Sequence, residues 1–370
     1  MGSKPPVPSA RLGAAADRCA GAWRPAAGEV LPKKAFHLLL SWLGLVATLA
    51  LAALPPPAPA ALPALPPPAR AGVLPAVLGE ASGLAASRRA DHLVWAHNDS
   101  GGEAVLYALD TNGKLRGKLR IEGVKNTDWE DIASFELDGR AWLLIADTGD
   151  NNDRRQDCAL LIIAEPDPAD LAPDRELNAP VAWRVPVRWP DGPHDCEAVA
   201  VDAHEEKAYL LTKRTSPPAL YTLPLRAPGG VPLIVPFPLP GGGQPSAATG
   251  EPPTSTLVAR LVQIPPPTPQ EKLSALPTGR YRAEPTALDF APDGSAAVVL
   301  TYGDVWLFRR APSQSWTDAF AAPQPGRLAP HGLLQAEAAC FSRDGRTLFV
   351  TGELPGAALV RYDLPPAAQP

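Results

Sequence analysis

EPTALDFAPDGSAAVVLTYGDVWLF, residues 284–308, holds a glutamate, an apolar run, an Asp-Gly turn, a second apolar run, a short polar turn and a third apolar run. Runs of this length joined by Asp293-Gly294 read as antiparallel strands rather than helix. The same order occurs four more times. The openings are EASG (80–83), EDIA (130–133), EAVA (197–200) and EAAC (337–340), beside EPTA (284–287). Each is followed by a polar turn and then by LVWAH (93–97), WLLIAD (142–147), AYLLT (208–212), AVVLT (297–301) or LFVT (348–351). Third runs follow at 105–110, 159–165, 220–223, 305–309 and 359–363, and fourth runs at 119–123, 181–187 and 257–264. Repeated units of three or four short strands predict an all-β protein, a β-propeller of five blades over residues 73–365. A sixth blade requires that the 224–264 region hide a degenerate unit. The rival fold is a β-sandwich, which does not call for a repeated glutamate. The last unit lacks a fourth strand, and VLPAVL (73–78) is expected to supply it and close the ring.

The composition agrees. Of 370 residues 47 are proline, which removes backbone donors and excludes a helical bundle or coiled coil. The chain is 45% apolar, too apolar for a disordered protein. Prolines concentrate at 55–75 and in a Pro/Gly-rich insertion at 224–256 that reads as a loop. The 39 acidic side chains exceed the 34 basic ones; six of the basics and two of the acids lie in residues 1–60, so the remainder carries 28 against 37, or −9. Such a body excludes a nucleic-acid partner, which needs clustered Lys and Arg.

Residues 35–54, AFHLLLSWLGLVATLALAAL, carry no formal charge and follow Lys33-Lys34. They read as a transmembrane anchor or a signal-peptide core, with 1–34 as the cytoplasmic or signal n-region and 55–72 as a stiff Pro/Ala spacer. The body is therefore expected to be exported, periplasmic or otherwise extracytoplasmic, touching the membrane only through 35–54. Cys158, Cys196 and Cys340 belong to it; Cys340 takes a small-residue slot, and a Cys158–Cys196 bridge is open.

If the first run of each unit lines the channel and the second is its hairpin partner, the glutamates and the ends of the second runs share one rim. That rim would gather Glu80, Asp99, Asp128, Glu130, Asp147, Asp150, Asn151, Glu197, Glu284 and Glu337, with Asp195, Tyr302 and Glu353 beside them. Facing carboxylates raise one another's pKa. Hydrogen bonds between blades relieve this, and so does a hard cation; an all-oxygen set of Asp, Glu and Asn suits calcium. The catalytic candidates are Glu130, Asp147 and His194, with His97 as a further base. Lys213, Arg214, Arg154 and Arg155 are the candidates for holding a phosphate or carboxylate. Trp95, Trp129, Trp142 and Trp306 are expected to pack between blades.

EASGLAAS (80–87), LVWAHNDSGGEAVLYALDTNGK (93–114), NTDWEDIAS (126–134), LLIADTGDNNDRR (143–155) and DCEAVAVD (195–202) resemble exported bacterial propellers of the phytase-like ("esterase-like activity of phytase") and SdiA-regulated families. The resemblance spans about 78–363. It implies calcium at the rim, with the five glutamates, Asp147, Asp150 and Asn151 nearby, and metal-assisted hydrolysis of a small phosphorylated or ester substrate. The alternative is a non-catalytic propeller that binds a cell-envelope protein or ligand.

Overall fold

The computed structural model describes residues 67–226 and 253–365. The expectations for 1–34, for the apolar segment 35–54 and for most of the spacer and insertion lie outside the described residues. Among the described residues no helix is long and apolar enough to cross a membrane.

In chain order the strands are β1 Ala69–Val73, β2 Ala81–Ala86, β3 Leu93–Asn98, β4 Val105–Asp110, β5 Leu115–Glu122, β6 Trp129–Leu137, β7 Arg140–Asp147, β8 Ala159–Ala164, β9 Glu176–Pro180, β10 Trp183–Pro186 and β11 Cys196–Asp202. There follow β12 Lys207–Thr212, β13 Ala219–Pro224, β14 Thr256–Arg260, β15 Pro285–Phe290, β16 Ala296–Thr301, β17 Val305–Arg309, β18 Gly326–Arg327, β19 Ala336–Phe341, β20 Thr347–Gly352 and β21 Ala358–Asp363. They form five sheets, β2-β3-β4-β5-β9, β6-β7-β8-β10, β11-β12-β13-β14, β15-β16-β17-β18 and β19-β20-β21-β1, named blades one to five here. The protein is a five-bladed β-propeller, and the 257–264 run supplies the fourth strand of blade three rather than a sixth blade.

The hairpins follow from turn chemistry. Asp138 and Gly139 both have positive φ (53° and 69°) in a two-residue loop between paired Leu137 and Arg140, the mirror-image turn whose twist suits a hairpin. Burial grades outward: β2 is buried throughout, whereas β9 alternates between exposed and partly buried positions. Apolar side chains pack between successive sheets in five layers. Trp95 and Trp129 fill the layer between blades one and two, and Trp306 and Phe308 that between three and four.

Two details differ from expectation. The strand that closes blade five is Ala69–Val73, not 73–78: it pairs antiparallel with β21, Ala69 opposite Arg361 and Val73 opposite Ala358. Pro75 has no N–H to offer a ladder, whereas ARAGV has one at every residue. Leu74 and Leu78 instead bury their side chains beneath the ring closure. The spacer accordingly ends earlier than residue 72. In addition, Cys158, Cys196 and Cys340 are buried free thiols, so no Cys158–Cys196 bridge forms; burial pushes the Cys158 thiol up to about 12.

Carboxylates tie the inner strands across the axis. Asp131 accepts the N–H groups of Ile132 (2.8 Å) on its own strand, Val199 (2.8 Å) on blade three and Leu288 (3.2 Å) on blade four. Asp289 accepts Phe341 N–H on blade five at 2.8 Å.

Candidate functional site

Every inner hairpin is bulged one residue after its first pair. The register slips between Ala81 and Gly83, Trp129 and Asp131, Cys196 and Ala198, Pro285 and Ala287, and Ala336 and Ala338. A bulge leaves one residue unpaired and re-aims its side chain. The bulged residues are Ser82, Glu130, Glu197, Thr286 and Glu337. Blades one and four thus carry a hydroxyl where the repeat promised a carboxylate. Glu80 and Glu284 lie two residues earlier, in the positions that Asp128, Asp195 and Gln335 occupy elsewhere. The fivefold glutamate is a threefold one.

The two kinds of bulge residue behave differently. Ser82 Oγ donates to Glu130 O of the next blade at 2.7 Å, and Thr286 Oγ1 to Ala336 O at 2.9 Å. Glu130, Glu197 and Glu337 instead project into a cavity of about 210 Å³ at this mouth of the channel. Glu80, Asp99 and Glu353 add further carboxylates to its wall, against Lys213 and Arg214 as the basic groups there.

Glu130 is 4% exposed, and no donor reaches its carboxylate among the described residues. It takes part in two carboxylate groups at once. One oxygen each from Asp99, Asp128 and Glu130 lie within 4.8 Å of one another, and so do those of Glu130, Asp195 and Glu197. Gly149 seals the first group from behind. A Cβ there would overlap Glu130 Oε1 and stand 2.6 Å from Asp128 Cγ. Burial pushes Glu130 well above the usual carboxylate range, and Glu197 and Asp99 push it further. Asp128 is raised to about 6, by burial and then by Asp99. Glu337 is raised to about 7 by burial, which Lys213 opposes.

The basic residues are already engaged. Lys213 Nζ pairs with Glu197, both side chains under a tenth exposed. Burial disfavours the Lys213 charge, but Glu197 and Glu337 outweigh it and raise its pKa. Arg214 pairs with Asp195 at 2.6 Å and donates to Asn151 Oδ1. Arg155 folds into the Asp147–Asn152 loop: it donates to Asp147 Oδ1 and Gly149 O, each at 2.8 Å, while its own N–H meets Asp150 Oδ2 at 2.7 Å. A guanidinium therefore sits in this loop against Asp147, and Asp150 caps the Arg155 backbone N–H; neither carboxylate lines the cavity. Arg154 is exposed. His194 bonds Asp191 (2.9 Å) and Tyr221 (3.2 Å) beside Trp189, and it does not line the cavity. His97 is fully buried against Trp129, and burial lowers it to about 4.

Of the expected ligands the structure brings Glu80, Asp99, Asp128, Glu130, Asn151, Glu197 and Glu337 to one mouth, with Glu284 at its margin. Asp195 and Tyr302, expected on the same rim beside Glu197 and Glu284, are there too, and Asp195 precedes its bulge by two residues, the same offset as Asp128.

No family model matches the chain, and no curated protein matches it. Among solved structures, the chain is similar to a protein of Bacteroides uniformis described as a candidate 6-phosphogluconolactonase, at 13% identity and a TM-score of 0.33, over 78% of this chain and 68% of that one. It is also similar to a chain of a nidogen/laminin complex, at 14% identity and a TM-score of 0.34, over 74% and 73%. Both superpositions are loose, and no activity passes from them to this chain.

Proposed function

We propose that the acidic mouth binds a divalent cation, calcium by its all-oxygen donor set, and that the ion is what a small phosphorylated or ester substrate meets there. The observation that carries this reading is Glu130, a buried carboxylate without a donor, shared between two carboxylate triads. Hard oxygen ligands at flexible spacing suit calcium. Asp99, Asp128 and Glu130 would hold the ion against the Gly149 backbone. A bound cation neutralises the cluster and polarises a phosphoryl or acyl oxygen. The phytase-like resemblance is consistent with such a hydrolase.

A specific observation favours a second reading. Lys213, Arg214 and Arg155 are all tied to carboxylates, which leaves little to hold a substrate phosphate. On that reading the propeller is a cation-stabilised binding module, displayed outside the cytoplasm through residues 35–54.

One experiment separates them. Calcium at about a hundredfold its Kd should raise stability by about 2.7 kcal/mol, and Glu130→Gln should abolish the rise. Chelator-sensitive turnover of phosphomonoesters or carboxylesters, lost in Glu130→Gln, supports the hydrolase. Calcium-dependent stabilisation without turnover supports the binding module. No effect of calcium on either sinks both.

A further inference from the structure

The inner strands end at the opposite mouth of the channel around a second cavity, of about 420 Å³. Its wall contains Ser134 and Glu136 from the end of β6 and Arg88 from just beyond β2. Arg88 Nε and Nη2 both donate to Ser134 O, at 3.0 and 2.8 Å, and Nε also reaches Ser134 Oγ at 3.0 Å. These acceptors are neutral. Among the described residues the guanidinium makes no ion pair and Nη1 has no protein acceptor, although the Arg88 charge reaches the buried Asp289 carboxylate and lowers its pKa against burial. One edge of the fork is thereby fixed by the backbone of blade two, and the other is left for a ligand.

The rest of the wall is rigid and brings two more guanidinium groups, Arg310 and Arg343, against the carboxylates of Asp202 and Asp293. Arg310 lies over the Trp316 ring at 4.1 Å, and Trp316 stacks on Phe290 at 3.9 Å. Arg310 Nε donates to Gly294 O at 2.8 Å. Its ion-pair partner, Asp202, is saturated: it also accepts Trp316 Nε1 at 2.7 Å and the N–H groups of His204 and Glu205 at 3.0 Å. Arg343 contributes a third guanidinium, held only by an exposed pair with Asp91 at 3.1 Å. A planar guanidinium with one edge pinned is preorganised for two parallel bonds to an oxyanion. We infer that this far mouth is a binding site for a small multivalent oxyanion, a phosphate or a polycarboxylate, gripped by the free edge of Arg88 with Arg310 and Arg343 beside it. Glu136 and Asp293, both exposed on the same wall and without an ion pair among the described residues, are the carboxylates that compete with the ligand.

The test is calorimetric titration of the full chain with inorganic phosphate and, separately, with citrate at about 0.15 M salt, where unspecific surface attraction is largely screened. Saturable binding of at least one anion is expected, and which one binds distinguishes the two sources. Arg88→Met keeps the stem and should weaken binding at least about tenfold, the loss of a charge-assisted pair. Arg88→Lys keeps the charge without the fork and should fall between. Should Arg88→Met fold poorly, Glu136→Gln decides, with binding expected to tighten about threefold. Glu130→Gln, at the other mouth, should leave anion binding unchanged, so this site stands or falls apart from the cation reading. No saturable heat with either anion overturns the inference, as does unaltered binding by folded Arg88→Met or by Glu136→Gln.

Discussion

Replacing Glu337 by Gln should stabilise the protein in alkaline buffer and do almost nothing in acid. Glu337 is 7% exposed, and burial lifts it from an ordinary 4.5 to about 7, net of the attraction of Lys213. The folded state therefore binds this proton more tightly than the unfolded chain. The stability contributed by the group is complete below 4.5 and disappears as pH rises through 7. The difference of about 2.5 units corresponds to about 3 kcal/mol at 1.36 kcal/mol per unit, of which roughly 2–3 kcal/mol falls between pH 5 and 8. Glutamine is near in shape to the protonated acid and does not ionise. Groups with the opposite behaviour, such as buried His97, are common to both proteins and cancel in the difference. Denaturant unfolding of wild type and Glu337→Gln, with chelator present, should give a stability difference that grows with pH by that amount. At about 2 °C per kcal/mol for a domain of this size, the variant's melting temperature should lead by roughly 5 °C at pH 8. A difference that is the same at pH 5 and pH 8, or a variant less stable at both, would falsify the claim that this mouth holds carboxylates against their charge.

Three further outcomes are expected. Gly149→Ala drives a methyl into the Glu130 and Asp128 carboxylates; it should cost about 1–3 kcal/mol and weaken calcium binding, read by unfolding and calorimetry. Lys213→Met leaves Glu197 buried without its partner and should destabilise by about 3 kcal/mol at pH 8. The loss should shrink as pH falls, because burial favours the protonated form of Glu197, and adding Glu197→Gln should restore most of it. Asp131→Asn has one acceptor for the three N–H groups that Asp131 receives, and its amide turns donors toward donors. It should cost roughly 3 kcal/mol or more in thermal or denaturant unfolding.

The strands were legible because alternating apolar runs and Asp-Gly turns are local signals, and LVWAH, AVVLT and LFVT each lie in the second strand of a blade. The site was legible only in part, because its register depends on a bulge. Aligning EASG and EPTA with EDIA by their glutamates puts Glu80 and Glu284 in the place of Glu130. Gly83, Ala287 and Asp131 are each the first residue paired after the bulge, and this equivalence shows the true offset, which only the partner strand can reveal. The Asp147–Asn152 loop misled for another reason. Its acids suggested a cation, and nothing local told that Arg155 turns back to supply one. The ring-closing strand was displaced by Pro75, whose missing N–H was visible in the sequence all along.

The asymmetry of the bulges explains how one mouth can crowd carboxylates and still belong to a stable ring. A propeller needs its innermost strands joined, and Ser82 and Thr286 join them by donating to carbonyls of the following blade. Thr148 does the same for blade three, through Cys196 O at 2.7 Å. With those joints made and Asp131 bridging the axis, Glu130, Glu197 and Glu337 are not required to hold the blades together. They crowd instead, each burial and each like charge raising the proton affinity of the others. Lys213 offsets one of the three. The remaining excess is relieved either by protons, at the neutral pH where Glu337 titrates, or by a cation that replaces them. Proton and cation then compete for the same oxygens, so affinity for the ion must rise with pH over the range in which Asp128 and Glu337 lose their protons, roughly 6 to 7.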